Sequence, residues 1–248
     1  MRKWDKLIII AIIGGIAISI FQEGNQGDPR AVEREPVTPN WAAIASWPSI
    51  QTDLVEAQPD PNRRVTAIVL DDSGSMGADI GPAKIAVVSA LDAMALDDRV
   101  AVLALNAGTV LPFTSVSDAK SALPDLLRPI TSDGSTPLTR SIGEAQAMLE
   151  AEAATVRGFG TFRLIVTTDG QADDGAALDA AIETLAASTP IQVTTIGIGI
   201  SGNHVLRRED LGSFVDVANV DALAEALQAA VAENTDFTAI TDFGDTEG

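Results

Sequence analysis

The sequence predicts an α/β fold: a doubly wound, mostly parallel sheet flanked by helices and preceded by an N-terminal membrane helix. Apolar runs at Val65 to Leu70, Val100 to Leu105, Leu164 to Val166 and Val193 to Ile198 are near-continuous rather than alternating, which is the pattern of strands buried on both faces. Stretches with apolar residues at helical spacing separate them, and that alternation builds a parallel sheet covered on both sides. At the N-terminus, an uncharged stretch from Leu7 to Phe21 follows a basic tip.

That tip, Met1 to Lys6, holds three basic side chains, and Ser19 is the only polar side chain between Leu7 and Phe21. As a helix the stretch spans about 22 Å, short of a hydrocarbon core of about 30 Å. It therefore falls between a membrane span and the core of a signal peptide. Trp4 suits the membrane interface, and Lys3 and Lys6 can snorkel, which lengthens the effective span. Ala17-Ile18-Ser19 has the small residues at alternating positions that a signal peptidase prefers. Residues 1–21 are thus either a transmembrane anchor or a removed signal sequence. Basic residues before the run, with Glu23, Asp28, Glu33 and Glu35 after it, leave the N-terminus in the cytoplasm. The main domain is then expected on the periplasmic or extracellular side, anchored by a single pass, or secreted if the segment is cleaved.

Residues 22–62 are expected to form a Pro-containing linker. Pro29, Pro36, Pro39, Pro48, Pro59 and Pro61, with no sustained periodicity, predict a semi-extended spacer. Trp41, Ile44, Trp47 and Ile50 interrupt it, and either cap a face of the domain or dock on a partner or membrane interface. The domain, over 63–233, opens with the strand Val65 to Leu70. Lys84 to Leu96 follows as a helix, with Ile85, Val88, Leu91 and Ala95 at helical spacing. Next come strands over 99–105 and 109–113, a helix over 117–128 that Pro124 kinks or delays, and a helix from Leu138 to Ala154. Strand 161–168, helix 175–187, strand 191–199, a short strand over 214–217 and helix 221–232 complete the alternation. The hairpin can contribute one antiparallel edge strand. Glu233 to Gly248 has five acids and no base, so 234–248 reads as an acidic, flexible tail with Phe237 and Phe243 available for docking.

Directly after the first strand stands Asp71-Asp72-Ser73-Gly74-Ser75. Such a cluster is commonly only a turn, but it is also a set of hard oxygen donors suited to magnesium, manganese or calcium. With no cysteine and one histidine, the chain offers little to zinc or copper. Two later segments add to the cluster. One is the loop Asp133-Gly134-Ser135-Thr136-Pro137-Leu138, which opens a helix. The other is the strand Leu164 to Thr168, which ends in Asp169-Gly170.

Together the three pieces resemble the von Willebrand factor A family, whose metal-ion-dependent adhesion site is written Asp-x-Ser-x-Ser, then Thr, then Asp at a strand end. Asp71, Ser73, Ser75, Thr136 and Asp169 match that pattern in order, and no element of it is missing. The likeness covers 62–233, including Asp98 to Leu105 as the second strand and Val193 to Gly199 as a late strand ended by glycine. It departs at Leu105-Asn106, where the family commonly has an aromatic residue. The resemblance implies the Rossmann-like fold of that family. It also implies direct coordination by Ser73, Ser75 and, in at least one state, Thr136, with Asp71 and Asp169 acting through water and hydrogen bonds. The implied cation is Mg2+, with Ca2+ or Mn2+ as alternatives. Neutral hydroxyls leave its charge poorly compensated, so the implied partner is a protein that supplies an Asp or Glu.

Composition bounds the alternatives. A chain of 248 residues, 46% of them apolar, suits one domain with appendages and a core that needs no disulfides. A net charge of −19 argues against nucleic acid and anionic headgroups, since binding either requires basic residues to neutralise phosphate. Membrane contact is assigned to residues 7–21. The same charge repels an acidic partner, so a cation is what makes a carboxylate contact favourable. No Gly-rich phosphate loop ending in Lys and no Ser-His-Asp arrangement stands out. Asp71-Asp72-Ser73 also lacks the second Asp, two residues on, of the aspartyl-phosphate phosphatases, so no enzyme is expected. Asp72 reads as a solvated turn residue, Asp133 and Asp173-Asp174 as loop carboxylates, His204 as a surface histidine, and Arg207 to Asp210 as a solvated charged loop. The expected function is a membrane-tethered, extracytoplasmic, metal-dependent protein-binding module, as used in cell adhesion. The alternative is a structural subunit of a membrane-associated assembly with a non-essential metal site.

Overall fold

A computed structural model describes residues 36–49, 60, 62–200, 202, 204–208 and 210–232. The expected membrane helix over 1–21, much of the linker and the acidic tail lie outside these residues. Among the described residues no helix is long and apolar enough to cross a membrane.

Among the described residues, six strands form one sheet in the order β3-β2-β1-β4-β5-β6. They are β1 (Arg64–Leu70), β2 (Arg99–Ala104), β3 (Gly108–Ser115), β4 (Thr161–Thr168), β5 (Gln192–Ile198) and β6 (Ser213–Val217). All neighbours are parallel except β2 and β3, the expected antiparallel edge hairpin. β1 and β4 are buried along nearly their whole length, because each face of the sheet carries its own core. Ile68 and Leu70 point to a cluster with α2 (Ile80–Ala90), α3 (Val116–Leu127) and α6 (Leu223–Ala232). Val65, Ala67 and Val69 point to the other, with α4 (Leu138–Thr155) and α5 (Gly175–Ser188). Successive side chains of a strand face opposite ways, so one apolar run serves both cores.

The chain winds from β1 outward through β2 and β3, then returns to place β4, β5 and β6 on the other side of β1. The connections diverge between the carboxyl ends of β1 and β4, where an open α/β sheet forms its ligand crevice.

Several expectations are corrected here. Ile85 is 68% exposed, while Ala83, Ala86, Val87 and Ala90 are buried. Almost every residue of α2 is apolar, so its sequence carries no single stripe, and the sheet and α6 choose the face that packs. The α-helix also ends at Ala90, and a 3-10 turn over Leu91–Ala93 follows. Residues 36–49 do not form a semi-extended spacer. Asn40 caps a short helix, α1 (Trp41–Ala45), by accepting the Ala43 N–H at 3.2 Å, and donates its own N–H to Ala187 O at 2.7 Å. Trp47 stands edge-on to Phe162, ring centroids 4.9 Å apart, and so caps the α4–α5 core. Trp41 remains 71% exposed. The segment around Arg208 is not a solvated loop either. Its guanidinium, 12% exposed, bonds Asp179, Glu183 and Asp210, and Asp210 in turn accepts the Val37 N–H at 3.0 Å. A planar fork of five donors suits that convergence of carboxylates.

Helix α3 starts at Val116 rather than late, because Ser115 accepts the Asp118 N–H, and Pro124 lies within it.

Candidate metal centre

Each loop of the crevice is set by the strand or helix beside it. Leu70 is the last residue of β1, and Asp71 follows fully buried, with its N–H on Thr167 Oγ1 of β4 at 3.1 Å. One Asp71 oxygen accepts the Ser73 N–H at 2.9 Å and the other the Asp169 N–H at 3.2 Å. This carboxylate ties the end of β1 to the end of β4. The hydroxyls then line up: Ser73 Oγ lies 3.0 Å from Ser75 Oγ, and Ser75 donates to Asp169 Oδ1 at 2.6 Å. Ser132 braces the turn, donating to Ser73 O at 2.8 Å and accepting the Gly77 N–H at 2.8 Å. Gly77 has a φ of 45°, a left-handed conformation that glycine takes without a steric penalty, between Ser75 and the start of α2.

The Thr136 loop is docked by backbone contacts. Gly74 N–H donates to Gly134 O at 3.0 Å, and Asp133 N–H donates to Asp72 O at 2.9 Å. Asp173 accepts the Thr136 N–H at 2.9 Å and returns its own N–H to Thr136 O at 3.1 Å. Four of the five expected residues, Asp71, Ser73, Ser75 and Asp169, are therefore joined in one hydrogen-bond chain. Thr136 stands on the adjoining loop, positioned through its backbone.

Asp169 is half-buried, and its carboxyl is pushed above the ordinary aspartate range. Burial is the main cause and the Asp71 charge adds to it, against the lowering effect of the Ser75 hydrogen bond. Asp173 is shifted the other way, held below the ordinary range by hydrogen bonds from Ser135 and the Thr136 N–H. Among the described residues, no group of three or more His, Cys, Asp or Glu side chains gathers as a metal cluster. The site offers two carboxylates and serine hydroxyls, with the Thr136 hydroxyl on the next loop. That all-oxygen set is suited to a hard cation and unsuited to zinc or copper.

Two residues are not where their sequence context suggested. Asp72, expected in solvent, is 2% exposed and accepts the N–H groups of Asn106 at 2.7 Å and Ala107 at 3.1 Å, with Asn106 Nδ2 at 3.2 Å. A carboxylate can be buried this way because the chain reversal after β2 aims its free donors inward. Asn106 also donates to Ser135 O at 2.9 Å, so it staples the β1 turn to the Thr136 loop. Its one sequence signal is the departure from an aromatic residue at that position.

His204, expected at the surface, is 5% exposed. Leu206 N–H donates to its Nδ1 at 3.1 Å, which leaves Nε2 to carry the proton and donate to Gly170 O at 3.0 Å. The ring is thus held as the neutral tautomer. Desolvation, with Arg207 nearby, lowers its pKa. Because the unfolded histidine takes up a proton near pH 6.5 and the folded one only at lower pH, the contribution of His204 to folding stability is constant above that value and falls as pH drops below it. Urea denaturation at pH 7.5 and 5.5 should show this loss, and His204→Gln should reduce it. A pH dependence identical in the variant would remove His204 as its source.

A family model for the von Willebrand factor type A domain matches residues 67–246. No curated protein matches the chain. Among solved structures, a von Willebrand factor type A protein from Catenulispora acidiphila is 21% identical with a TM-score of 0.59, over 69% of this chain and 42% of that one. The match therefore spans less than half of that relative. The manganese-loaded TRAP protein of Plasmodium vivax is 19% identical with a TM-score of 0.50, over 69% of this chain and 76% of that one. Proximal thread matrix protein 1 of the mussel byssus is 18% identical with a TM-score of 0.56, over 70% and 49%. At these identities the structures establish likeness of fold.

Proposed function

This chain belongs to the von Willebrand factor type A domain family, and from that premise we propose that it is a membrane-tethered, extracytoplasmic module that grips a partner's carboxylate through a divalent cation. Domains of this family are generally protein-interaction modules. The observation that carries the finer reading is the chain Ser73–Ser75–Asp169, in which two hydroxyls lie 3.0 Å apart and the second donates to a carboxylate whose ionisation burial opposes. A cation would offset that opposition.

In this reading Ser73, Ser75 and Thr136 present hydroxyl lone pairs to the cation. Asp169 accepts a hydrogen bond from the Ser75 hydroxyl, which leaves the lone pairs of the serine oxygen free for the cation, and Asp71 holds the two strand ends at their spacing. The cation, when bound, supplies a positive centre short of anionic ligands, which a partner Asp or Glu completes. Mg2+ is the proposed ion, with Mn2+ and Ca2+ as alternative hard cations that also take oxygen donors. The manganese-loaded Plasmodium relative supports a divalent cation in this fold. Tethering rests on the apolar residues 7–21 and the basic residues before them. The role is one of binding, with no catalytic step.

Affinity capture from detergent-solubilised membranes with the full chain tests this reading. A partner should be retained with Mg2+ and released by EDTA, and a Ser73→Ala, Ser75→Ala chain should retain at least about 100-fold less, the loss of roughly 2.7 kcal/mol. Equal retention in all samples would sink the cation mechanism and leave a structural subunit with a non-essential site.

A further inference from the structure

Helices α2 and α3 leave between them a mostly apolar groove of about 410 Å3, where Ile85, Val88, Pro124 and Leu127 lie with the cations of Lys84 and Arg128. Ile85 projects from it 68% exposed. Lys84 donates to Ile130 O at 2.8 Å, and Arg128, 77% exposed, pairs with Asp125. In a chain of net charge −19, an apolar groove bordered by two cations suits an acidic segment with large apolar side chains. The segment after α6 has that composition. It holds five acids and no base, and it repeats Thr-Asp-Phe at Thr235-Asp236-Phe237 and Thr241-Asp242-Phe243. We propose that residues 233–248 dock in this groove of their own chain, with Phe237 and Phe243 on its apolar floor and the neighbouring acids beside Lys84 and Arg128.

Reach supports the assignment. α2 and α6 each follow a strand of the parallel part of the sheet, so both run from its carboxyl edge toward the opposite edge and end side by side. Gln228 Nε2 of α6 donates to Ser89 O of α2 at 3.2 Å, and Ser89 also lines the groove. With packed helix axes 8–10 Å apart, the groove beyond α2 lies about 15 Å from α6. The five residues from Ala232 to Phe237 extend up to about 17 Å. Along α2 the groove runs from Ser89 back to Gly81, about 12 Å. The six residues from Phe237 to Phe243 span about 9 Å as helix and about 20 Å when extended, which brackets that length. A covalently attached segment also acts at roughly millimolar effective concentration, an advantage that a free partner lacks.

The chain has no cysteine, so Gly244→Cys in the full chain, in detergent, takes a single nitroxide and leaves both phenylalanines and all the acids in place. The amide signals of Ile85, Val88 and Leu127 should lose more than half their intensity relative to the reduced nitroxide. They should recover when Phe237 and Phe243 are both replaced by Ser, or when Ile85, already in solvent, is replaced by Asp. Undimmed groove signals, or dimming that survives both sets of replacements, would overturn the proposal. Equal dimming when the nitroxide sits only on isotope-free chains mixed with label-free isotopic ones would assign the groove to a second copy and overturn it as well.

Discussion

Replacing Asp72 by alanine is expected to lower the folding stability of the domain by about 3 kcal/mol, because it removes a buried carboxylate whose hydrogen bonds, worth about 1.5–3 kcal/mol each to a charged acceptor, are only partly replaced by water at the part-buried donors. Three donors converge on this carboxylate, from Asn106 N, Asn106 Nδ2 and Ala107 N. Asp72→Asn keeps the shape and one acceptor oxygen but turns an amide toward those donors, so a smaller cost, about 1–2 kcal/mol, is expected. Urea denaturation midpoints at unchanged slope measure both. Asn106 reaches Ser135 as well, so the loosening should spread to the Thr136 loop and weaken cation binding before the domain unfolds. An Asp72→Ala domain within about 0.5 kcal/mol of the parent, the range of an ordinary surface change, would show that the buried carboxylate is dispensable.

The second large effect is the stabilisation expected from the proposed cation. At a Mg2+ concentration 100 times its Kd, the parent chain should gain about 2.7 kcal/mol, and the gain should appear as a rise in Tm that depends on Mg2+ concentration. The Ser73→Ala, Ser75→Ala chain should lose this gain, yet in EDTA it should unfold close to the parent. The bond between the two hydroxyls loses both partners at once, a change that is nearly neutral, and Asp169 still faces solvent on one side. Acid should act through Asp169: its raised pKa makes Mg2+ binding fall off at higher pH than an ordinary aspartate would require. A double variant with the parent's full Mg2+ response would place the cation elsewhere.

These two expectations draw on different kinds of legibility. Asp71 and Asp169 could be picked out from sequence because each directly follows a strand rich in apolar and β-branched residues, and a carboxylate there must lie at the carboxyl edge of the sheet. The same reasoning located β1, β2, β4, β5 and the helices between them, and the antiparallel edge strand. It did not reach the burial of Asp72 and His204, or the hydrogen bonds of the exposed Asn106, all of which depend on which loops meet above the sheet. Asp72 and Asn106 are 34 residues apart, and Asp71 and Asp169 are 98 apart. The phase of α2 was equally out of reach, because a helix apolar on every side carries no mark of the side that packs.

What the sequence by itself determined is the alternation of strands and helices, the family, and the oxygen-rich identity of the crevice. These are local properties, set by apolar period and by turn residues at strand ends. What only the tertiary structure decided is which polar groups are buried, that Trp47 packs while Trp41 stays in solvent, and that Ile85 opens onto a groove instead of the core. Those outcomes depend on contacts between distant segments, and no local pattern encodes the partner that a side chain meets after the chain has closed on itself.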